Sequence, residues 1–407
     1  MPTKKKDTAV IADNMMDAFL DEALKEAEKE FGKEKCYVAG EHEAHQLVIP
    51  IWPISLRWLI ESNGWPMSRF TTSGGAKGSF KSAFCFQLIA WWLESGGVAA
   101  HHDTENKTSS TLMQSIIPLK YFDPNDPAHH RFQFRVATSI NEWQRMLSQQ
   151  FEVLKAVTAK AKHKPKFPVL WTVDSLLGSG SDESIEHIET EGDARGRGYS
   201  DAPILITNFL ETFPNMLLGW PVTLHVSCHE KPAIGHVGTS RRGGKAPGFY
   251  ATLDVQFKRG GESALSKTHA DIDRADWKGR NVTITIKKSS MGSDIGKKMV
   301  VPFCWRFVTD EATGLQRQVS WWDWSSTTAM VMKEHERDLK DVMDVQCERK
   351  QMKGMVFWSD AMGITKDKAI TASEFGFMVE SDPEWRKKVE LALHVQTHPT
   401  LTEDTEL

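Results

Sequence analysis

The sequence predicts an α/β fold: a twisted, mainly parallel central sheet flanked by helices, with an N-terminal helical arm and a small C-terminal domain. Short apolar runs at 98–102, 169–173, 222–228, 250–257 and 282–286 alternate with helical stretches at 82–95, 140–161 and 202–213. Strands separated by helices form parallel βαβ units. The later runs follow one another more closely, which predicts an antiparallel extension of the same sheet. Residues 8–33 place Ile11, Met15, Phe19, Ala23, Ala27 and Phe31 at every fourth position among Asp, Glu and Lys, the pattern of one helix.

These patterns divide the chain into an arm at 1–49, a core at 50–320 and a C-terminal domain at 321–407. Beyond about 320 the sequence reads as helical and amphipathic, with Trp321, Trp322 and Trp324 at the junction. Polar, glycine-rich segments at 178–200 and 231–247 exceed ordinary connections in length and are candidate functional loops.

Composition narrows the class. Of 407 residues, 40% are hydrophobic and 26% charged, ordinary values for a soluble globular protein. No run approaches 18 uncharged apolar residues, and the basic start Met1-Pro2-Thr3-Lys4-Lys5-Lys6 leads into charged sequence. A cytoplasmic protein without a membrane span is therefore expected. Cys36, Cys85, Cys228, Cys304 and Cys347 are scattered without CxxC spacing, against both a disulfide framework and a structural zinc site. A formal net charge of −4 gives no global sign of nucleic-acid binding, so any such contact falls to local basic loops.

The first chemical signal is Gly75-Ala76-Lys77-Gly78-Ser79-Phe80-Lys81-Ser82, between the strand-like Arg69-Phe70-Thr71-Thr72 and an apolar helix starting at Ala83. A phosphate loop needs inward backbone N–H groups, a lysine for the terminal phosphates and a hydroxyl for Mg²⁺. Lys81 and Ser82 supply the last two. Taken alone, the match also describes a surface turn. Phe80 stands where the usual pattern has glycine; phenylalanine disfavours φ > 0, which leaves the backbone path there open.

Three later strands end in polar residues. Val98-Ala99-Ala100-His101-His102-Asp103-Thr104-Glu105 puts Glu105 where in-line attack on a phosphate needs a water-orienting carboxylate, with a solvated acidic turn as the alternative. His101 and His102 read as ordinary strand residues. Val169-Leu170-Trp171-Thr172-Val173-Asp174-Ser175 is an apolar strand closed by an acid, which places Asp174 to bind Mg²⁺ through water. Leu224-His225-Val226-Ser227-Cys228-His229-Glu230 ends near His229.

The order of these motifs resembles that of RecA. Asn63-Gly64-Trp65-Pro66-Met67-Ser68-Arg69 is similar to the segment before the RecA phosphate loop, and Phe before the loop lysine resembles the phage UvsX recombinases. The segment Gly243-Gly244-Lys245-Ala246-Pro247-Gly248-Phe249-Tyr250-Ala251-Thr252-Leu253-Asp254-Val255-Gln256-Phe257-Lys258-Arg259 lines up without a gap on the end of the second DNA-binding loop of RecA and its following strand. The resemblance covers roughly 50–308.

It implies a RecA-like P-loop ATPase core that binds ATP and Mg²⁺, with Glu105 activating water and His229 sensing the γ-phosphate. It implies DNA-binding loops at 178–200 (Arg195, Arg197) and 231–247 (Lys231, Arg241, Arg242, Lys245). Ile284-Thr285-Ile286-Lys287-Lys288-Ser289 resembles the segment whose lysines reach a neighbouring subunit's nucleotide; a surface turn is the alternative. Phe249 and Tyr250 are expected at a strand edge. The implied partners are single-stranded DNA, a homologous duplex, further copies of the chain in a helical filament, and a single-strand-binding or mediator protein. A DnaB-like hexameric helicase and a single-strand-binding or annealing protein with a degenerate ATP site remain the alternatives.

Overall fold

In the computed structural model a ten-stranded mixed sheet runs through the described residues. The described residues are 47–176, 198–232, 239–241, 245–262, 278–309, 316–350, 354–398 and 400, with 22, 23, 25–27, 29, 30, 180–182, 186 and 314. Strands β1 (Val48–Pro50) and β2 (Gly64–Pro66) form a separate antiparallel pair. The large sheet contains β3 (Phe70–Gly75), β4 (Val98–Asp103), β5 (Phe132–Val136), β6 (Val169–Asp174), β7 (Val222–Pro232) and β9 (Leu253–Glu262), all parallel, in the order β9-β3-β7-β6-β4-β5. From β9 it continues antiparallel through β10 (Lys278–Ser289), β11 (Lys298–Thr309) and β12 (Gln316–Trp322), while β8 (Thr239–Arg241) pairs with the end of β7. A central strand such as β6 is buried along Val169–Val173 because both faces of the sheet are covered.

Helices supply those covers. On one face lie α1 (Ile54–Ile60), α2 (Lys81–Glu94) and α3 (Ser110–Ile116), and the apolar layer joins Phe84, Phe86 and Trp92 to Val255, Phe257 and Trp322. On the other lie α4 (Ile140–Ala161) and α5 (Gly198–Met216), whose Trp143, Leu147, Phe151, Ile206, Leu210 and Phe213 pack on Trp171, Val173 and Leu224. Helix α4 buries Ile140, Trp143, Leu147 and Phe151, one stripe at helical spacing, and starts where the Ser139 hydroxyl accepts the Glu142 N–H at 3.0 Å.

The helices expected at 82–95 and 140–161 therefore lie within a residue of α2 and α4, and the antiparallel extension is present. Two details differ. The run at 250–257 divides into α6 (Ala246–Tyr250) and β9, so Phe249 and Tyr250 lie on a helical turn and not at a strand edge. Pro247 in the first turn presets a helical φ, and Ala251 N–H closes the turn onto the Pro247 carbonyl at 3.2 Å. Beyond 320 the chain is not solely helical: α7 (Trp324–Glu334) is followed by a three-stranded sheet of β13 (Gln346–Lys350), β14 (Gly354–Trp358) and β15 (Ile370–Thr371), then α8 (Ala372–Ser381) and α9 (Pro383–Ala392). Val356 and Phe357 are both fully buried, so β14 carries apolar side chains inward on both faces, a pattern without helical period. The arm helix expected at 8–33 lies mostly outside the described residues.

These last elements share an apolar layer with α1 and α2, and one buried carboxylate ties them together. Glu380 on α8 accepts hydrogen bonds from Ile54 N–H (3.3 Å), Thr328 Oγ1 (2.5 Å) and Ser325 Oγ (3.0 Å). Burial raises its pKa, opposed by those hydrogen bonds. A raised pKa means that the folded chain holds more protons than the unfolded one between the ordinary carboxylate range and the higher value, so this group's contribution to stability falls as pH rises through that window. Glu380→Ala should cost about 2–4 kcal/mol by stranding three donors. Glu380→Gln should cost far less and should lose the fall in stability with rising pH that the raised carboxylate pKa predicts for the wild type. Urea midpoints across that window check both, and equal losses for Ala and Gln would contradict the assignment.

Candidate functional site

The candidate site forms at the C-terminal ends of four neighbouring parallel strands. In register, Gly75 of β3 lies opposite His229 of β7, and Asp103 of β4 lies opposite Asp174 of β6. The Gly75–Ser82 segment leaves β3 and turns into α2 at this edge. Gly75 admits no side chain, because a β-carbon would stand 2.4 Å from the Phe257 carbonyl oxygen and 2.5 Å from Ser79 Oγ. Gly78 has φ +75°, the left-handed region that favours glycine.

Phe80 answers the question left by its own type. It takes φ 69° and ψ 21°, a left-handed residue heading α2, so the chain follows the path a glycine would take there. Its ring packs 4.9 Å from Phe303 and 6.3 Å from Trp305, centroid to centroid, and this contact offsets the backbone strain. Ser79 is buried, Ser82 half-buried in the first turn of α2, and Ala76 and Lys77 are exposed.

Lys81 is the buried cation of the site. Its Nζ donates to the Gly75 (2.9 Å) and Ala76 (3.0 Å) carbonyls and stands 3.5 Å from both Ser79 Oγ and His229 Nδ1. Burial pulls its pKa below the ordinary lysine value, with Asp174 and Glu105 among the charges opposing the shift. The other ring nitrogen of His229, Nε2, lies 2.5 Å from Glu105 Oε1, which also accepts the Ser175 hydroxyl at 2.8 Å. One neutral tautomer satisfies both contacts, with the proton on Nε2 facing the carboxylate and the Nδ1 lone pair facing the ammonium. Burial raises the Glu105 pKa, but Ser175, His229 and Lys107 together carry it below the ordinary value, so the group is ionised at neutral pH.

Three further residues, which sequence reasoning did not assign, hold this line in place. Asp103 accepts the backbone N–H groups of Glu105 (2.9 Å), Lys107 (3.0 Å) and Thr108 (2.8 Å), folding the turn that carries Glu105. Ser175 bonds Glu105 directly, and Ser227 donates to Asp174 Oδ1. Asp103 and Ser175 sit beside residues the motifs had singled out; an acid two residues before Glu105 is the local turn signal. Nothing in the sequence marks Ser227, whose role depends on β7 lying against β6. His101 and His102 are buried strand residues, bonded to Thr172 and, through His102 Nε2, to Gln150, and burial lowers the His102 pKa to about 3.

The other predicted residues lie away from this cluster or outside the described residues. Lys287 is exposed at the end of β10; Lys288 donates to the Phe249 carbonyl, with its ammonium 5.7 Å from the Phe249 ring centroid. Lys288 lies opposite Asp254, beside Thr72, toward the start of β3 and away from the Gly75 end. Of the loop cations, Lys245 is exposed at the head of α6; Lys231 in β7 and Arg241 in β8 belong to a two-stranded ribbon that continues β7 past His229. Arg195, Arg197 and Arg242 lie outside the described residues.

A mixed sheet with helices on both faces, polar side chains meeting at its parallel strand ends, is compatible with a RecA-like core. Over 100 residues the chain is 33% identical to protein RecA of Lactobacillus acidophilus, a match covering 24% of this chain and 28% of that protein. It supports a RecA-like relationship, and the chain thus spans under a third of that relative's length. No family model matches the chain. No described helix is long and apolar enough to cross a membrane.

The packing of Phe80 makes a test possible. Phe80→Gly removes the strain and the ring together, so stability should fall by only about 1 kcal/mol. Phe80→Val keeps the strain, loses the ring contacts and adds β-branching, so it should be the more damaging variant. Thermal unfolding of both separates them; a more stable Val variant would contradict the left-handed assignment.

Proposed function

We propose that the chain is a DNA-dependent ATPase of the recombinase type that assembles as a filament on single-stranded DNA, pairs it with a homologous duplex and releases the product on hydrolysis. The observation that carries this reading is the line from Lys81 through His229 to Glu105, which joins a loop of phosphate-binding pattern to an ionised carboxylate. The Gly75–Ser82 loop, including Ala76, Lys77, Gly78, Ser79 and Phe80, would wrap the phosphates with its backbone N–H groups at the start of α2. Lys81 would exchange the Gly75 and Ala76 carbonyls for phosphate oxygens.

A Mg²⁺ ion fits the donors present, since that ion is commonly held by one carboxylate and a hydroxyl together with substrate phosphates. Ser82 and Asp174, with its Ser227 hydrogen bond, would hold it. When bound, it would neutralise charge on the phosphates. Glu105 orients the attacking water, and His229, bonded to the same carboxylate, links that step to β7 and the Lys231–Arg241 ribbon beyond it. Lys245, Arg241, Arg242 and Lys231, with Arg195 and Arg197 of the earlier loop, contact the phosphate backbone of the strand. Lys287 and Lys288, set back along β10 from the Gly75 end of β3, would act on a neighbour's nucleotide. The left-handed Phe80, which keeps glycine's path, weighs against the degenerate-site reading.

Negative-stain imaging on single-stranded DNA, with ATP turnover measured on the same samples, tests the proposal. Helical filaments that require a non-hydrolysable ATP analogue, and turnover that rises with single-stranded DNA, are expected. Closed rings would favour the hexameric-motor reading. DNA coating indifferent to nucleotide would favour the annealing protein.

A further inference from the structure

Strand β9 runs past the point where its partner β3 ends. Phe257 lies opposite Gly75, the last residue of β3, and Lys258–Glu262 continue beyond it. Side chains alternate along a strand, so Val255, Phe257 and Arg259 project from one face. That face is fixed: the Phe257 ring packs 4.9 Å from Phe84 of α2. One step further, Arg259 therefore projects over the start of α2 and the loop before it. Its Nη1 is 3.6 Å from where a β-carbon on Gly78 would stand, the one group within 4 Å of that position among the described residues other than Gly78's chain neighbours.

Two further features set this placement. Val282 pairs with Arg259 but Arg280 pairs with Glu262, so β9 holds an extra residue at Gly260–Gly261, a bulge that re-aims the strand directly after Arg259. The acid nearest in sequence, Glu262, is engaged at 3.2 Å by Arg280. Among the described residues no carboxylate pairs with Arg259, which is exposed and lies beside Gly78 in the loop that leads into the N-terminus of α2. A guanidinium in that setting matches a phosphate oxygen pair in charge and geometry.

We propose that Arg259 is a second phosphate-binding cation of the nucleotide site, contributed by the same subunit and contacting the polyphosphate of a nucleoside triphosphate held on the Gly75–Ser82 loop. It rests on the reading of that loop given above. Lys81 approaches from within the fold and Arg259 from the solvent side over Gly78, so the phosphate chain is held between them.

The test is titration of a fluorescent ATP analogue into the full chain and its Arg259→Ala, Arg259→Lys and Lys81→Ala variants, with thermal unfolding of each free protein. Arg259→Ala should bind about 10-fold to 100-fold more weakly, the effect of one charge-assisted hydrogen-bonded contact, with an unchanged unfolding midpoint. Arg259→Lys should recover part of the affinity, and Lys81→Ala should lose binding. Normal binding by Arg259→Ala beside lost binding by Lys81→Ala overturns this inference and leaves the loop reading intact. Normal binding by Lys81→Ala overturns the loop reading itself. A loss of single-stranded DNA affinity by Arg259→Ala without loss of nucleotide affinity would assign the guanidinium to nucleic acid and overturn the inference.

Discussion

The contact between His229 and Glu105 is the constraint on which the rest of the site depends. It joins residues 124 apart in sequence, one on β7 and one on the turn after β4, two strands that are not neighbours, across the end of β6. It can form only if β7, β6 and β4 keep their parallel register, with Val226 opposite Val173 and Asp174 opposite Asp103, and both faces of the sheet are covered to hold it. The two apolar layers, α2 with its aromatic neighbours on one side and α4 with α5 on the other, hold those strands in register. A polar cluster inside the sheet strengthens the same alignment. His225, four residues before His229, bonds Thr71 Oγ1 at 2.9 Å and Ser73 Oγ at 3.1 Å, pinning β7 to β3 beneath the loop. Burial lowers the His225 pKa to about 3, so it stays neutral and serves as a structural donor and acceptor.

The Gly75–Ser82 loop shows how a local rule can be broken where surrounding packing decides the conformation. Phenylalanine in the left-handed region is unfavourable in isolation. Here the geometry is set by the start of α2 below and by Phe303 and Trp305 beside the ring, residues supplied by the antiparallel part of the sheet. The extension from β10 to β12 thus takes part in shaping the site and is not an independent appendage to it.

Legibility in the sequence followed the range of the interaction. Helix α4 was readable to its ends because its apolar stripe and its Ser139 cap are local. The ends of β4 and β6 were marked by Asp103 and Asp174, and that of β3 by the glycine-rich segment that begins at Gly75. The helical turn at Phe249–Tyr250 was missed because an aromatic pair after glycine reads as strand, whereas Pro247 presets a helical φ. Ser227, Ser175 and Arg259 act only through strands brought alongside by the fold, and no spacing in the sequence announces such neighbours. The strands of the C-terminal region were missed for a related reason: β14 is short and buried, and its pairing with β13 and β15 is not written in any one of them.

In the proposed function Glu105 acts on water and Lys81 holds phosphate, two roles that one substitution separates. Glu105→Gln keeps the shape of the side chain and its Ser175 and His229 contacts but removes its charge. In single-turnover measurements on single-stranded DNA, this variant should bind ATP within a few-fold of the wild type and hydrolyse it slower by about 10²-fold or more, the usual share of a positioned acid–base group. Hydrolysis at the wild-type rate with normal binding would contradict the central role given to the Lys81–His229–Glu105 line.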